Sequence, residues 1–334
     1  MNTKRIISLV ASLALVLSLS VGLTGCGDKA AQDDNQGSTD GEGTKYTVGI
    51  CQLVQHEALD AATQGFIDAL NEALPGQVEF QNKNASGDNA NCSTIVNGFV
   101  SDGVDLILAN ATGALTAAAA ATSDIPILGT SITAYGVALD IDDFSGTVGG
   151  NISGTSDLAD LEAQANMITE WFPDATKVGL LFCSAEPNSR YQIDEVRKAL
   201  EAQGVTCEEF AFTDSNDVSS VTQKAADFSD VVYIPTDNTA ASNTEAIANV
   251  LIPAGVPAIC GEEGLCRGCG VATLSISYYD LGVTTGKMAA KILKGEANIS
   301  EMPVEYTDAT PKYNASICDQ LGITPLDGYE AIDG

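Results

Sequence analysis

The residues best placed to do chemistry in this chain are acids, amides and hydroxyls that follow short apolar runs. Asp230 to Thr244 is the clearest stretch: DVVYIP reads as a buried strand, TDNT as a polar loop and AASNT as the start of a helix. A helix start carries unpaired N–H groups and the positive end of its dipole, which together favour an anion. Asp237 in the same loop offers a fixed negative charge for a cation. The same residue types also cap helices, so Asp237 reads equally as an N-cap. Ser184-Ala185-Glu186-Pro187-Asn188-Ser189 lies likewise between a strand and a helix, with Asn188 and Ser189 placed to cap it. Thr112 and Ser131 occupy corresponding loops earlier in the chain. Glu262 follows a later strand, and the only histidine, His56, follows the first.

These side chains need elements to hold them, and the pattern supplies an alternation. Thr47 to Leu53 reads as a strand, and Glu57 to Ala73 as a helix with Leu59, Ala62, Phe66, Ala69, Leu70 and Ala73 at helical spacing. Gln77 to Asn82, Val104 to Ala109 and Ile125 to Leu128 follow as strands, separated by helices over Asp88 to Ser101 and Gly113 to Thr122. The order then restarts. Helices over Asp157 to Phe172, Ser189 to Gln203, Val218 to Phe228 and Thr239 to Leu251 alternate with strands over Lys177 to Cys183, Val205 to Phe212, Asp230 to Ile234 and Ala258 to Cys260. Gly270 to Ser277 is a further strand, with a helix from Tyr279 to Lys294. Such alternation indicates an α/β fold with parallel sheets covered on both faces.

The two halves also match in letters. Val48-Gly49-Ile50 parallels Val178-Gly179-Leu180, and the run from Val104 parallels that from Asp230: a strand, an Asn/Thr loop, an Ala-rich helix, then Ile-Pro or Val-Pro opening a strand. Two similar Rossmann-like lobes, joined by a hinge, would turn the carboxyl ends of both sheets toward one cleft, where α/β sheets bind ligands. The expected division is 1–25 as a signal peptide and 26–45 as a flexible tether. Residues 46–152 with about 276–308 form the first lobe, and 153–275 with about 309–334 the second.

The N-terminus bears on location. Lys4 and Arg5 precede an apolar run from Ile6 to Val21, which ends in Leu23-Thr24-Gly25-Cys26. A basic start, a short apolar core and small residues describe an export signal. The ending resembles the lipobox of bacterial lipoproteins, whose cysteine becomes the lipid-modified first residue. That implies an extracytoplasmic protein anchored to the cell membrane through a lipidated Cys26. Gly27 to Thr44 has almost nothing apolar and reads as a tether.

Composition excludes several classes. The formal charge is −30, and loss of the signal would remove two basic residues and no acid. So acidic a chain should not bind nucleic acid, whose affinity comes from Lys and Arg on phosphates. It should meet anionic membrane only through its lipid. His56-Glu57-Ala58-Leu59-Asp60 lacks the second histidine of a zinc protease, and there is no G-x-S-x-G elbow or Walker loop. No enzyme, cofactor or metal site is expected. Cys260 and the pair Cys266-Arg267-Gly268-Cys269 suggest free thiols or one disulfide rather than zinc, since the only histidine is far away in sequence.

Lipobox, tether and duplicated α/β pattern together resemble a solute-binding lipoprotein of a bacterial ABC importer. GICQLVQHEALDAATQGF, SAEPNSRYQ, YIPTDNT, GEEG and ATLSISYYDLG are similar to the binding-protein family that includes tryptophan and tyrosine transporter components. The resemblance implies a type I periplasmic-binding-protein fold, a small-molecule ligand (an aromatic amino acid) and partnership with ABC permease and ATPase subunits. An amino acid needs donors for its carboxylate and an acceptor for its ammonium. On this reading the helix start at Asn188 and Ser189, near Glu186, takes the carboxylate, helped by Thr112 and Ser131. Asp237 takes the ammonium, with Glu262 as a second acid, and His56 hydrogen-bonds the ligand. Tyr135, Tyr278 and Tyr279 are candidates for a ring slot. A ligand-sensing receptor, or an importer component for a sugar or nucleoside, is the alternative.

Overall fold

The computed structural model describes residues 45–332. The apolar start, Cys26 and the Gly27 to Thr44 stretch lie outside the described residues. The first half runs β1 (Tyr46–Gln52), α1 (Glu57–Ala73), β2 (Val78–Asn84), α2 (Asn89–Asp102), β3 (Leu106–Asn110), α3 (Thr112–Ala121), β4 (Ile127–Ile132), α4 (Tyr135–Leu139) and β5 (Ile152–Ser156). The second begins with α5 (Leu161–Trp171), β6 (Lys177–Cys183), α6 (Pro187–Ala202), β7 (Thr206–Phe212), α7 (Val218–Phe228) and β8 (Val231–Ile234). It continues through α8 (Asn238–Ala241), α9 (Thr244–Ala254), β9 (Ala258–Cys260), α10 (Glu263–Cys269) and β10 (Ala272–Ser275). The last described elements are α11 (Tyr278–Leu293), β11 (Glu305–Tyr306), β12 (Thr310–Tyr313), α12 (Ala315–Leu321) and β13 (Glu330–Ala331).

The strands form two sheets, in the orders β11-β5-β4-β3-β1-β2 and β13-β12-β10-β9-β8-β6-β7. All pairings in the first are parallel, and in the second only β10 with β12 is antiparallel. With the late strands set aside the two orders are identical, β6 to β10 standing where β1 to β5 stand. The repeat in letters is therefore a repeat in topology. Each order reverses direction around its first strand, and α/β sheets bind ligands outside such reversals.

The strands read as continuous apolar runs because helices cover both faces of each sheet. Along β1 and β3, Val48, Ile50, Leu106 and Leu108 face one core while Cys51, Ile107 and Ala109 face the other. Along β6 and β8, Val178, Leu180, Val231 and Tyr233 alternate in the same way with Leu181, Cys183, Val232 and Ile234.

Four features differ from the expectation. β5 lies in the first sheet beside β4, so the chain leaves the first lobe after Ser156 and not at 152. Its small, polar letters (Ile-Ser-Gly-Thr-Ser) hid a strand buried at every position. The helix expected from Asp157 starts at Leu161, capped by Asp160. The single helix expected over Thr239 to Leu251 is two, because the Asn243 side-chain amide donates to the Thr239 carbonyl at 2.7 Å and competes with the helical ladder. The Cys266 to Cys269 stretch lies in a helix capped by Glu262.

The chain crosses between lobes three times: from β5 to α5, from β10 to α11, and from β11 to β12. Helix α11 returns to the first lobe and packs along α1. Glycines let the two backbones approach: a Cβ on Gly65 would lie 2.1 Å from the Tyr279 carbonyl oxygen, and one on Gly282 2.0 Å from that of Ala62. Replacing glycine by alanine inside a helix ordinarily stabilises by about 1 kcal/mol. Here overpacking of order 1–3 kcal/mol should reverse that sign. Gly282→Ala should lower the denaturation midpoint; an unchanged or raised midpoint would show that the two helices can separate at no cost.

Candidate ligand-binding site

The carboxyl ends of the two sheets meet around a small cavity of about 10 Å3. His56, Leu59, Ser131, Thr133 and Asp157 line it from the first lobe and first crossing. Asn188, Thr236, Asp237, Asn238, Ala241 and Glu262 line it from the second lobe, and Tyr278 from the second crossing. It is far smaller than the roughly 300–1,000 Å3 usual for ligand pockets, with space for about one water.

Of the residues expected from sequence, His56, Ser131, Asn188, Asp237 and Glu262 share this cavity. Thr112 and Glu186 instead line an outer pocket with Leu53, Asn89 and Pro187, and only Asn188 belongs to both spaces. Ser189 is fully buried and receives a 3.4 Å bond from the Asn188 amide. The Glu186 carboxylate is occupied within its own lobe. It accepts from the backbone N–H of Asn238 and Thr239 and from both their side chains, at 2.7–3.0 Å.

Local chemistry explains these positions. Asp237 follows β8 and caps α8, its Oδ1 accepting from Ala240 N at 2.8 Å and its Oδ2 from Cys183 N at 2.6 Å. It thus ties together the strand ends flanking the reversal of the second sheet. Glu262 follows β9 and accepts from Gly264 N and Leu265 N at the start of α10. His56 precedes α1, whose first turns are held by Asn110: its amide donates to the Leu59 carbonyl and the Thr63 hydroxyl. Ser131 sits where the β4–β5 register shifts, with φ of 57°. A bulge of this kind re-aims a side chain, and strained backbone of this kind concentrates at functional sites. The Ser131 hydroxyl is buried without a partner among the described residues.

The sequence reading missed Asp157, taking it as a helix start. It lies between β5 and α5 with 5% exposure, and its Oδ2 accepts the Tyr278 hydroxyl at 2.8 Å. Its Oδ1 has no partner. A polar position closing a buried strand was the available signal. Of the aromatic candidates only Tyr278 reaches the cavity. Tyr135 is core, bonded to the Thr155 carbonyl and stacked on Phe144, and Tyr279 is 43% exposed with its hydroxyl on Asp68.

Residues 47–328 match the sequence profile described as ABC transporter substrate binding protein. The chain belongs to that family. It is a substrate-binding protein and not an enzyme, with the type I periplasmic-binding-protein fold. It is 33% identical over 321 residues to a protein named tyrosine-binding protein from Clostridioides difficile strain R20291, covering 92% of this chain and 89% of that one. A Streptococcus pneumonia ABC domain solved in complex with L-Trp is 30% identical, with a TM-score of 0.82, covering 86% of this chain and all of that one. A ligand-free, open substrate-binding protein from Clostridium difficile is 32% identical but gives a TM-score of 0.65, over 86% of this chain and 99% of that one. The better fit to the complex agrees with two direct contacts between lobes here, His56 to Asn238 at 3.2 Å and Arg267 to Glu57 at 3.0 Å.

Electrostatically the cavity of this substrate-binding protein is one-sided. Asp157, Asp237 and Glu262 line it, with no lysine or arginine among the lining residues. Burial pushes Asp237 up to about 8, reinforced by nearby Glu186 and opposed by its two N–H donors. Burial likewise pushes Glu262 up to about 7 and raises Asp157 against the bond from Tyr278 and the nearby Thr133 side chain. Burial lowers His56, outweighing its bond to Asn238. The Asn238 amide nitrogen donates to Glu186, so its oxygen faces the ring. Histidine Nε2 is then the donor, and Nδ1 an unfilled acceptor. Since the acids titrate higher folded than unfolded, they favour folding while protonated. That contribution is complete below about pH 4 and is lost as pH rises through about 7 and 8. The ligand-free protein should melt lower at about pH 9 than at about pH 6, and Glu262→Gln should shrink that drop. An unchanged drop in the variant would mean that Glu262 is ionised at no cost.

Proposed function

We propose that this chain captures an aromatic amino acid between its lobes and delivers it to the permease and ATPase subunits of an ABC importer, tethered outside the membrane by lipid on Cys26. One observation carries the ligand class. The cavity holds unfilled acceptors, Asp157 Oδ1 and His56 Nδ1, beside an unfilled hydroxyl, Ser131 Oγ. A solute bearing an ammonium and a carboxylate fills both kinds. A neutral sugar or nucleoside leaves the acids without a counter-charge, and buried unpaired charge is costly. The names of the tyrosine-binding and L-Trp-bound relatives support the same class.

In this reading Ser131 and Asn188 face the carboxylate, and His56 lends an acceptor. Asp237 and Glu262 add two buried acids to the cavity wall. Leu59, Ala241 and Tyr278 supply apolar wall for the ring. Thr112, Glu186 and Ser189 act from outside the cavity, Glu186 by holding Asn238 and Thr239 in place. The Leu-Thr-Gly-Cys sequence supports the anchor.

A thermal-shift panel of amino acids, sugars and nucleosides on the purified protein tests the ligand. A ligand at 100 times its Kd stabilises by about 2.7 kcal/mol, so tryptophan, tyrosine or phenylalanine should raise the melting temperature visibly. A shift from a sugar or nucleoside, with none from any amino acid, overturns the reading. For the anchor, Cys26→Ala should move the protein from the membrane fraction to the soluble one; retention on the membrane would rule out lipid on that residue.

A further inference from the structure

We propose that Asp157, at the hinge between the lobes, is the acceptor that selects for an ammonium group on the ligand. The proposal rests on the amino-acid reading above and replaces Asp237 as the residue that contacts the ammonium.

Three acids line the cavity, and hydrogen bonding separates them. Each Asp237 oxygen already accepts a backbone N–H, from Ala240 and from Cys183. Each Glu262 oxygen does the same, from Leu265 and from Gly264. Both are helix caps whose charge is spread over fixed backbone donors. Asp157 has one oxygen on the Tyr278 hydroxyl and the other, Oδ1, empty, although the residue is only 5% exposed. An empty carboxylate oxygen in a closed cavity calls for a donor from outside the chain. No lysine or arginine among the lining residues can supply it. His56, whose Nδ1 has no partner among the described residues, lines the same cavity. An ammonium brings positive charge and three N–H groups to these two positions, where a hydroxyl brings one O–H and no charge.

The position of Asp157 adds a consequence for closure. It lies on the first crossing, and its partner Tyr278 opens α11 on the second. Their hydrogen bond joins the two crossings, so a charge bound at Oδ1 acts where the lobes pivot. Asp237, inside the second lobe, has no such link.

The test is Asp157→Asn in the full chain. Asparagine keeps the shape and an acceptor for Tyr278 but removes the charge. L-Tryptophan and L-tyrosine are compared by calorimetry with their 2-hydroxy acid counterparts, which differ only in the group at issue. The wild type should prefer the amino acids by about 100-fold or more. In Asp157→Asn amino-acid affinity should fall by about 100-fold, hydroxy-acid affinity by less than about 10-fold, and the preference should collapse. The ratio of two dissociation constants is insensitive to any unfolded fraction. Asp237→Asn, measured alongside, should lower the melting temperature more and the preference less. Overturning results are wild-type preference in Asp157→Asn, or loss of preference confined to Asp237→Asn. If the wild-type protein binds no amino acid, the proposed function fails and this inference with it. If it binds amino acids and Asp157→Asn is indifferent, this inference alone fails.

Discussion

The burial of three carboxyl groups without a protein counter-charge is the constraint on which the rest of the site depends. Asp157, Asp237 and Glu262 are almost completely withdrawn from water around one small cavity. Burying a carboxylate is costly unless hydrogen bonds or a cation compensate it. The chain compensates two of them with backbone N–H groups at helix starts, and leaves the third with an open oxygen. On the proposed reading an amino-acid ligand carries the positive group that the lining residues lack.

The fold makes such a cavity possible by duplication. Two sheets with the same strand order each present a reversal at their carboxyl ends, and the crossings turn these ends toward each other. The helix pair α1 and α11 fixes the first-lobe side of this arrangement. Their glycine contacts set how deeply the start of α11, with Tyr278, sits against the cleft. Buried polar side chains do the finer placement: Asn110 holds the first turns of α1 behind His56, and Gln192 pairs with both the N–H and the carbonyl of Thr236 beside Asp237. Two direct contacts, His56 to Asn238 and Arg267 to Glu57, join the lobes across the cleft.

The sequence showed the strands well where burial on both faces forced apolar runs, as in Lys177 to Cys183, and showed helices where a single apolar stripe repeated, as in Glu57 to Ala73. It did not show β5, because Ser153, Gly154 and Thr155 carry no apolar signal. Their burial depends on neighbours from β4, α11 and the segment before β11. The split after α8 was equally invisible, since it turns on one Asn243 side chain choosing a carbonyl over solvent. His56, Ser131, Asn188, Asp237 and Glu262, loop residues next to strand ends, line the cavity because strand ends face the cleft. Thr112 and Glu186 line the outer pocket instead, since sequence position gives the edge of a sheet but not the depth along it.

What the amino-acid sequence determined by itself was the class: an acidic chain, a repeated α/β pattern, and polar loops at the carboxyl ends of the strands. These are properties of local periodicity and composition, which need no partner to be legible. Only the tertiary structure decided which acid is free. Asp157, Asp237 and Glu262 are chemically equivalent as letters, and each stands after a strand. They differ in how many N–H and O–H groups the fold brings within reach of their oxygens. That count depends on residues as far apart in sequence as Cys183 from Asp237 and Tyr278 from Asp157. Hydrogen-bond satisfaction is a property of assembled neighbours, so it appears only once the two lobes and their crossings are in place.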